Sequence, residues 1–177
     1  MKKIILSCLV IFSFSCKNED KKATEVQTPI KKEVVKDNLF KIIMEAKVKE
    51  DDKFQVFFTD DSPEESFSAN KRLVKNIVGS EEFQTLEFVL PKEVLPFKFR
   101  IDLGENSYET LVEIGVIKLE YNNEVIEIDP LTLERFFQPN IYLQKTDNGF
   151  MRKTIDGRCD PFLMSTPLLI KKIELEL

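Results

Sequence analysis

The chain has 177 residues, 42% hydrophobic and 32% charged, so it is long enough for one compact domain that buries about two-thirds of its unfolded surface. It contains no histidine, which excludes the usual general base at neutral pH and the commonest ligand of zinc, copper and iron. The formal charge is −5, and it becomes −7 if Lys2 and Lys3 are removed with a leader, so nucleic acid is not expected as a partner.

Residues 1–15 have the features of a secretion signal: a basic start, an apolar run from Ile4 to Phe14, and a small residue before a cysteine. The run is too short to cross a hydrocarbon layer of about 30 Å as a stable helix. The segment Ser13–Cys16 resembles the lipobox of bacterial lipoproteins, which implies that Cys16 is acylated and becomes the membrane-anchored N-terminus. The alternative is a soluble secreted protein that is cut nearby.

Residues 16–38 are highly charged and poor in large apolar side chains, so we expect a flexible tether. A coil of this length holds a domain roughly 25 Å from its anchor. Lys17–Asp20 resembles the short signal that sends lipoproteins of certain Gram-negative bacteria to the outer face of the outer membrane. The expected location is therefore the outer membrane, through the lipid anchor.

Residues 39–177 are expected to fold as one β domain. Apolar and polar side chains alternate, in the pattern of half-buried strands, over residues 39–49, 53–59, 82–90 and 97–103. The first two of these strands are expected to form a hairpin. The segment 60–79 reads as a polar crossover that contains either a short strand or a helical turn.

The alternation continues over 111–121 but changes phase at Gly115, so we predict a β-bulge at Gly115 and Val116. Asn122-Asn123 predicts a tight turn into a strand at 124–128, because Asn tolerates positive φ. A short helix is expected over 131–137, after Pro130.

The Asn-Gly pair within Asp147–Gly149 predicts a hairpin between 141–145 and 150–155. A second exposed loop covers 156–161. The alternation in 168–177 predicts a final strand, with the first strand as its expected neighbour.

These elements predict an all-β fold, a two-sheet antiparallel β-sandwich of the jelly-roll type. The segments Arg100–Asn106, Val112–Tyr121 and Asp160–Phe162 resemble the galactose-binding-like sandwich domains found beside glycosyltransferases and glycoside hydrolases. The resemblance implies a non-catalytic domain that binds a sugar or a structural calcium ion.

Two groups of loop residues are candidates for binding. Oxygen ligands suitable for calcium come from Asp147, Asn148, Asp156 and Asp160. Contacts to a glycan or a carboxylate are expected from Tyr142, Arg152 and Arg158. Any ligand is expected at a loop end of the sandwich formed by 147–149 together with 156–161.

Three functions remain open from the sequence. The first is a lipid-anchored, non-enzymatic binding module for carbohydrate, and the second is a structural or accessory subunit of an outer-membrane protein complex. The third is a hydrolase that uses two carboxylates from the acidic loops at 51–52 and 60–65, although solvated loops are the expected explanation of these residues, because nothing in a polar loop would raise a carboxyl pKa. Cys159 lacks a histidine partner, so a catalytic thiol is not expected.

Overall fold

The computed structural model describes residues 38–106 and 109–177, and these form a two-layer β-sandwich. The predicted signal sequence, Cys16 and nearly all of the predicted tether lie outside the described residues. Every strand pair in both sheets is antiparallel. The two-sheet antiparallel β-sandwich predicted from the alternation is confirmed.

In chain order the elements are β1 (Lys41–Lys47), β2 (Asp52–Thr59), β3 (Arg72–Ile77), β4 (Gln84–Val89), β5 (Lys98–Leu103), β6 (Leu111–Tyr121), β7 (Glu124–Ile128), α1 (Leu133–Phe136), β8 (Phe137–Pro139), β9 (Leu143–Thr146), β10 (Gly149–Arg152), β11 (Phe162–Ser165) and α2 (Pro167–Glu176). A six-stranded sheet has the order β4-β1-β6-β10-β9, and β7 also pairs with β6. A five-stranded sheet has the order β3-β2-β5-β11-β8.

The core lies between the sheets and is rich in phenylalanine. Phe40 and Phe137 both contact Phe99 edge-on, with ring centroids 6.4 and 5.7 Å away. Such pairs stabilise a core beyond the area that they bury. Phe40 belongs to the segment leading into β1 and Phe99 to β5, so these contacts hold the two sheets together.

The predicted bulge is confirmed in β6. Met44 pairs with Ile117 and Ala46 with Ile114, so Gly115 and Val116 together oppose a single residue of β1, Glu45. The Glu45 Oε2 atom accepts a hydrogen bond of 3.2 Å from the backbone N–H of Val116. A Cβ on Gly115 would lie 2.8 Å from the Cβ of Glu45, which explains the glycine at this site.

Both predicted hairpins at asparagine turns are also confirmed. Asn122 and Asn123 have φ values of 53° and 72° and connect β6 to β7. Asp147 and Asn148 connect β9 to β10, with Thr146 paired to Gly149.

The predicted C-terminal strand is wrong, because α2 occupies this segment. The Thr166 side chain caps the helix by accepting a hydrogen bond from the Leu169 N–H, and Pro167 occupies the first turn. Leu169 and Ile173 are buried one helical turn apart. The alternating apolar residues fit a strand equally well, and the Thr-Pro pair decides for a helix.

The predicted pairing of the first strand is wrong as well. β1 lies between β4 and β6, so it pairs neither with the C-terminal segment nor with β2. The chain crosses from one sheet to the other between β1 and β2, where a hairpin was expected. Within the crossover 60–79, the open alternative is settled as a strand, β3. The helix expected over 131–137 is shorter, since β8 begins at Phe137.

Candidate functional site

An open groove of about 760 Å³ lies beside the β9–β10 turn, between residues of β6 and the segment that leads into α1. Its floor includes Gly115 of β6, and its rim includes Asp147 and Asn148 of the β9–β10 turn. Phe83, just before β4, and Leu131, just before α1, add apolar surface to the same groove. The groove therefore combines apolar side chains with carboxylate and amide groups.

The rim is positioned by local turn chemistry. The Asp129 carboxylate accepts hydrogen bonds from the Thr132 hydroxyl and from the backbone N–H groups of Leu131 and Thr132. The hydroxyl, followed by the backbone groups, lowers the pKa of Asp129. This turn presents the Leu131 side chain at 97% exposure. A fully exposed leucine at the rim of a groove is available to a ligand.

Charged side chains around the groove are mostly paired. Lys47 forms an ion pair with Glu113 at 2.6 Å, which raises the pKa of Lys47, and its ammonium group also lies 5.6 Å from the Phe83 ring centroid. Lys145 lies 3.7 Å from Glu134. Among the described residues, the exposed side chains of Asp147 and Asn148 form no hydrogen bond or ion pair.

The second predicted loop, residues 156–161, does not line this groove. β10 begins directly after the Asp147-Asn148 turn and ends at Arg152, so loop 156–161 follows the opposite end of the same strand. Asp156 and Gly157, with φ of 50° and 74°, form the turn that joins Ile155 to Arg158. The expectation of one shared loop end is wrong, because the sequence shows loop order but not strand direction.

The candidate ligand residues occupy very different surroundings. Arg158 is exposed in its turn, whereas Tyr142 is half-buried, and its backbone N–H and C=O bond to Asn140 and Lys153. Asp160 contacts Asn140 through its backbone carbonyl, and its carboxylate lies 4.0 Å from the Arg100 guanidinium. Ligand binding by Tyr142 and Arg158 stays a prediction.

Arg152, the third candidate, is completely buried. Its Nη1 donates to Asp52 Oδ2 at 2.5 Å and to the Leu103 carbonyl at 3.2 Å, and its Nη2 donates to Thr110 Oγ1. Asp52 in turn accepts the backbone N–H groups of Lys53, Glu105 and Asn106. Since Arg152 lies on β10 and Asp52 on β2, the pair joins the two sheets, and the structure gives Arg152 a structural role.

A signal for this pair was present in the sequence. Arg152 shares its strand face with Phe150, and Asp52 shares its face with Phe54, so both charged side chains alternate with inward-facing phenylalanines. Two opposite charges at inward positions of a sandwich indicate a buried ion pair. That reasoning would have separated Arg152 from Arg158.

A second arginine–aspartate pair, which sequence reasoning missed, lies on the outer face of the five-stranded sheet. Arg100 Nη2 donates to Asp102 Oδ2 at 2.9 Å. The guanidinium lies over the rings of Phe57 and Phe162, at 4.7 and 4.5 Å from their centroids. Burial raises the pKa of Asp102 to about 7, although Arg100 acts in the opposite direction.

Three carboxylates of the acidic loop 60–65 share one lysine. Lys71 forms ion pairs with Asp60, Asp61 and Glu65, which raises the pKa of the lysine and lowers that of Glu65. A catalytic acid needs the opposite shift, a raised carboxyl pKa.

The thiol of Cys159 has a raised pKa, chiefly through burial, which keeps it in the unreactive protonated form.

Within the part of the chain that the structure describes, one group of three carboxylates has metal-binding spacing, and it is this same Asp60, Asp61 and Glu65 group. The Lys71 ammonium contacts all three side chains and supplies the positive charge. The residues predicted to bind calcium, Asp147, Asn148, Asp156 and Asp160, are not gathered into such a group. Calcium binding through them stays a prediction.

Comparison of the chain with protein-family models, with curated proteins and with solved structures gives no match. Neither helix of the described residues has the length and apolar character needed to span a membrane.

Proposed function

We propose that this protein is a lipid-anchored, non-catalytic module of the cell envelope that binds carbohydrate through the groove between Phe83 and the Asp147-Asn148 turn. The groove is the observation that carries the proposal, because it joins apolar surface to unpaired polar groups on a rigid sheet. Cys16 supplies the anchor, and the outer membrane is the proposed location.

The groove chemistry suits a sugar. A pyranose ring has apolar C–H faces that stack on aromatic rings, and hydroxyl groups that need donors and acceptors at the edge. Phe83 is about half exposed, and Lys47 lies near its ring. Asn148 offers both a donor and an acceptor, and Asp147 offers acceptors.

Non-catalytic action is supported by the state of the acidic loops. Asp52 is committed to Arg152, and the carboxylates of Asp60, Asp61 and Glu65 are committed to Lys71. A catalytic pair that includes any of these four carboxylates would first have to break an ion pair.

The test is a glycan array followed by titration of any hit against purified variants. Phe83→Ala and Asn148→Ala should each weaken binding roughly fivefold, the effect of losing about 1 kcal/mol. Phe97→Ala is the matched control, because Phe97 is exposed to a similar extent and does not line the groove. Binding that survives both groove substitutions would place the site elsewhere, and an array without any hit would refute the sugar.

The competing proposal is an accessory subunit that docks on an envelope protein, and one surface favours it. Phe97, Met164, Pro167 and Ile170 form an apolar depression beside α2, with Lys98 and Lys171 at its edge. Crosslinking in membranes would distinguish the two functions. Loss of a specific crosslinked partner in Phe97→Ala, with retention in Phe83→Ala, would support the subunit.

The anchor is tested independently of the ligand. Metabolic labelling with a palmitate analogue should mark the wild-type chain and leave Cys16→Ala unlabelled, because Cys16 follows Ser15 at the end of the apolar run, whereas Cys8 lies inside the run. A Cys16→Ala protein that still labels and still fractionates with membranes would show that the anchor is wrongly assigned.

A further inference from the structure

Two buried oxygen atoms on the outer face of the five-stranded sheet lack hydrogen-bond donors. Asp102 of β5 is the direct cross-strand partner of Gln55 of β2, and each residue is only 6% exposed. Among the described residues, neither Asp102 Oδ1 nor Gln55 Oε1 has a partner. Directly opposed side chains on one face of a sheet have Cβ atoms about 5 Å apart, so both acceptors belong to neighbouring side chains on the same face.

None of the neighbouring donors bonds to either oxygen, and this includes the buried Nε–H of Arg100, which has no partner among the described residues. Gln55 Nε2 donates to Glu105 Oε1 at 2.7 Å, which fixes the amide so that its oxygen turns away from Glu105. Arg100 Nη2 donates to Asp102 Oδ2 at 2.9 Å and leaves Oδ1 without a donor. A buried acceptor without a donor costs about 1–3 kcal/mol, so two adjacent ones call for an explanation.

A single hydrogen atom satisfies both acceptors. We propose that Asp102 and Gln55 form a proton-binding site in which the neutral Asp102 carboxyl donates its Oδ1–H to Gln55 Oε1. A metal ion is a poor alternative, because the guanidinium groups of Arg100 and Arg72 act on the same carboxyl group.

The charges around Asp102 come from three strands and two loops. They are Arg100 on its own strand, Arg72 on β3, Asp160 before β11, Lys53 on β2 and Glu105 after β5. Burial is the largest influence and raises the pKa of Asp102, Asp160 adds to this rise, and the two arginines oppose it. The balance holds a proton near neutral pH.

The raised pKa of Asp102 sets the direction in which the stability of the domain changes with pH. The ordinary pKa of 3.8 is raised to about 7 in the folded chain, so the folded state binds the proton more tightly than the unfolded state. The stabilisation from Asp102 is fully present below about pH 4 and is lost as the pH rises through about 7. Above that range a bare carboxylate faces the Gln55 oxygen, and the outer-face contact between β2 and β5 is weakened.

The experiment is a ¹³C NMR titration of side-chain carboxyl and carboxamide carbons in the full chain. The Asp102 carboxyl carbon should titrate near neutral pH, and the Gln55 carboxamide carbon should shift with the same midpoint, because its hydrogen bond is lost with the proton. A midpoint of Asp102 near its ordinary value, or a Gln55 signal that does not follow it, would overturn the proposal.

Thermal melting of variants gives a second measurement. Asp102→Asn carries a permanent amide donor in place of the proton, so its melting temperature should depend less on pH between about 4 and 7 than that of the wild type. Asp156→Asn, in an exposed turn, is the matched control and should keep the wild-type dependence. Equal dependence in all three proteins would contradict the shared proton, and the NMR titration of the wild type decides the matter if Asp102→Asn does not fold.

Discussion

Two arginine–aspartate pairs in this sandwich differ in their surroundings: one joins the two sheets, and the other links two residues of β5. Asp52 receives Arg152 and three backbone N–H groups, and the pair is fully enclosed between the sheets. Within residues 38–106 and 109–177, Asp102 receives one arginine N–H and no backbone donor, and its second oxygen is unsatisfied. The two aspartates therefore differ in how many donors satisfy their oxygens, and at Asp102 burial outweighs the single arginine hydrogen bond and raises the pKa.

The largest expected effect comes from breaking the satisfied pair. Arg152→Met leaves the Asp52 charge buried without its partner, so unfolding should become easier by about 3–5 kcal/mol. Urea denaturation measures this, and Arg158→Met on the exposed turn is the matched control, expected within about 0.5 kcal/mol of wild type. The double substitution Asp52→Asn with Arg152→Met should recover part of the loss. A small loss in Arg152→Met would mean that the two pairs do not differ as described.

A smaller loss should follow when the same pair is disturbed from the backbone. Gly104 has a φ of 117°, and a Cβ there would lie 2.1 Å from Arg152 Nη1 and 2.5 Å from Asp52 Oδ2. Gly104→Ala should cost about 1–3 kcal/mol from backbone strain and should also displace the guanidinium.

Gly157→Ala separates these two causes. Gly157 also has positive φ, 74°, but nothing lies within 4 Å of the position of its missing Cβ. Urea denaturation of both variants therefore measures strain alone in one and strain plus the clash with the ion pair in the other. Equal losses would show that Gly104 serves only the turn.

The sequence predicted the local structure of this domain better than its connections. Alternation located β1, β5 and β6, and a single glycine located the bulge, because these features depend on which side chains face the core. The alternation of apolar and polar residues does not indicate which sheet a strand joins, so the crossover from β1 to β2 was missed. In the C-terminal segment, Leu169, Ile173 and Leu177 recur every four residues, which fits both a strand and a helix, and the cap at Thr166 distinguishes the two.

The candidate site was predicted only where its features depend on neighbouring residues in the sequence. Asp147-Asn148 was recognised as an exposed turn, since turn chemistry is local, and the turn borders the groove. The burial of Arg152 depends on Asp52, 100 residues away in the chain. The partners of Arg100 come from β2 and β11, and no local pattern brings these together.

The smallest expected effect distinguishes how each arginine is used. Arg100 combines one hydrogen bond to Asp102 with stacking on Phe57 and Phe162, and a lysine keeps the charge while losing the planar contact. Arg100→Lys should therefore destabilise the domain by about 1 kcal/mol, the scale of a partly desolvated cation–π contact.

Arg152→Lys should cost more, because one ammonium group replaces two nitrogens that serve Asp52, Leu103 and Thr110 in separate directions. Urea denaturation of the two lysine variants side by side is the measurement. If Arg100→Lys proves as damaging as Arg152→Lys, the outer pair is as tightly built as the inner one, and the difference in donor number between Asp52 and Asp102 does not set their contributions to stability.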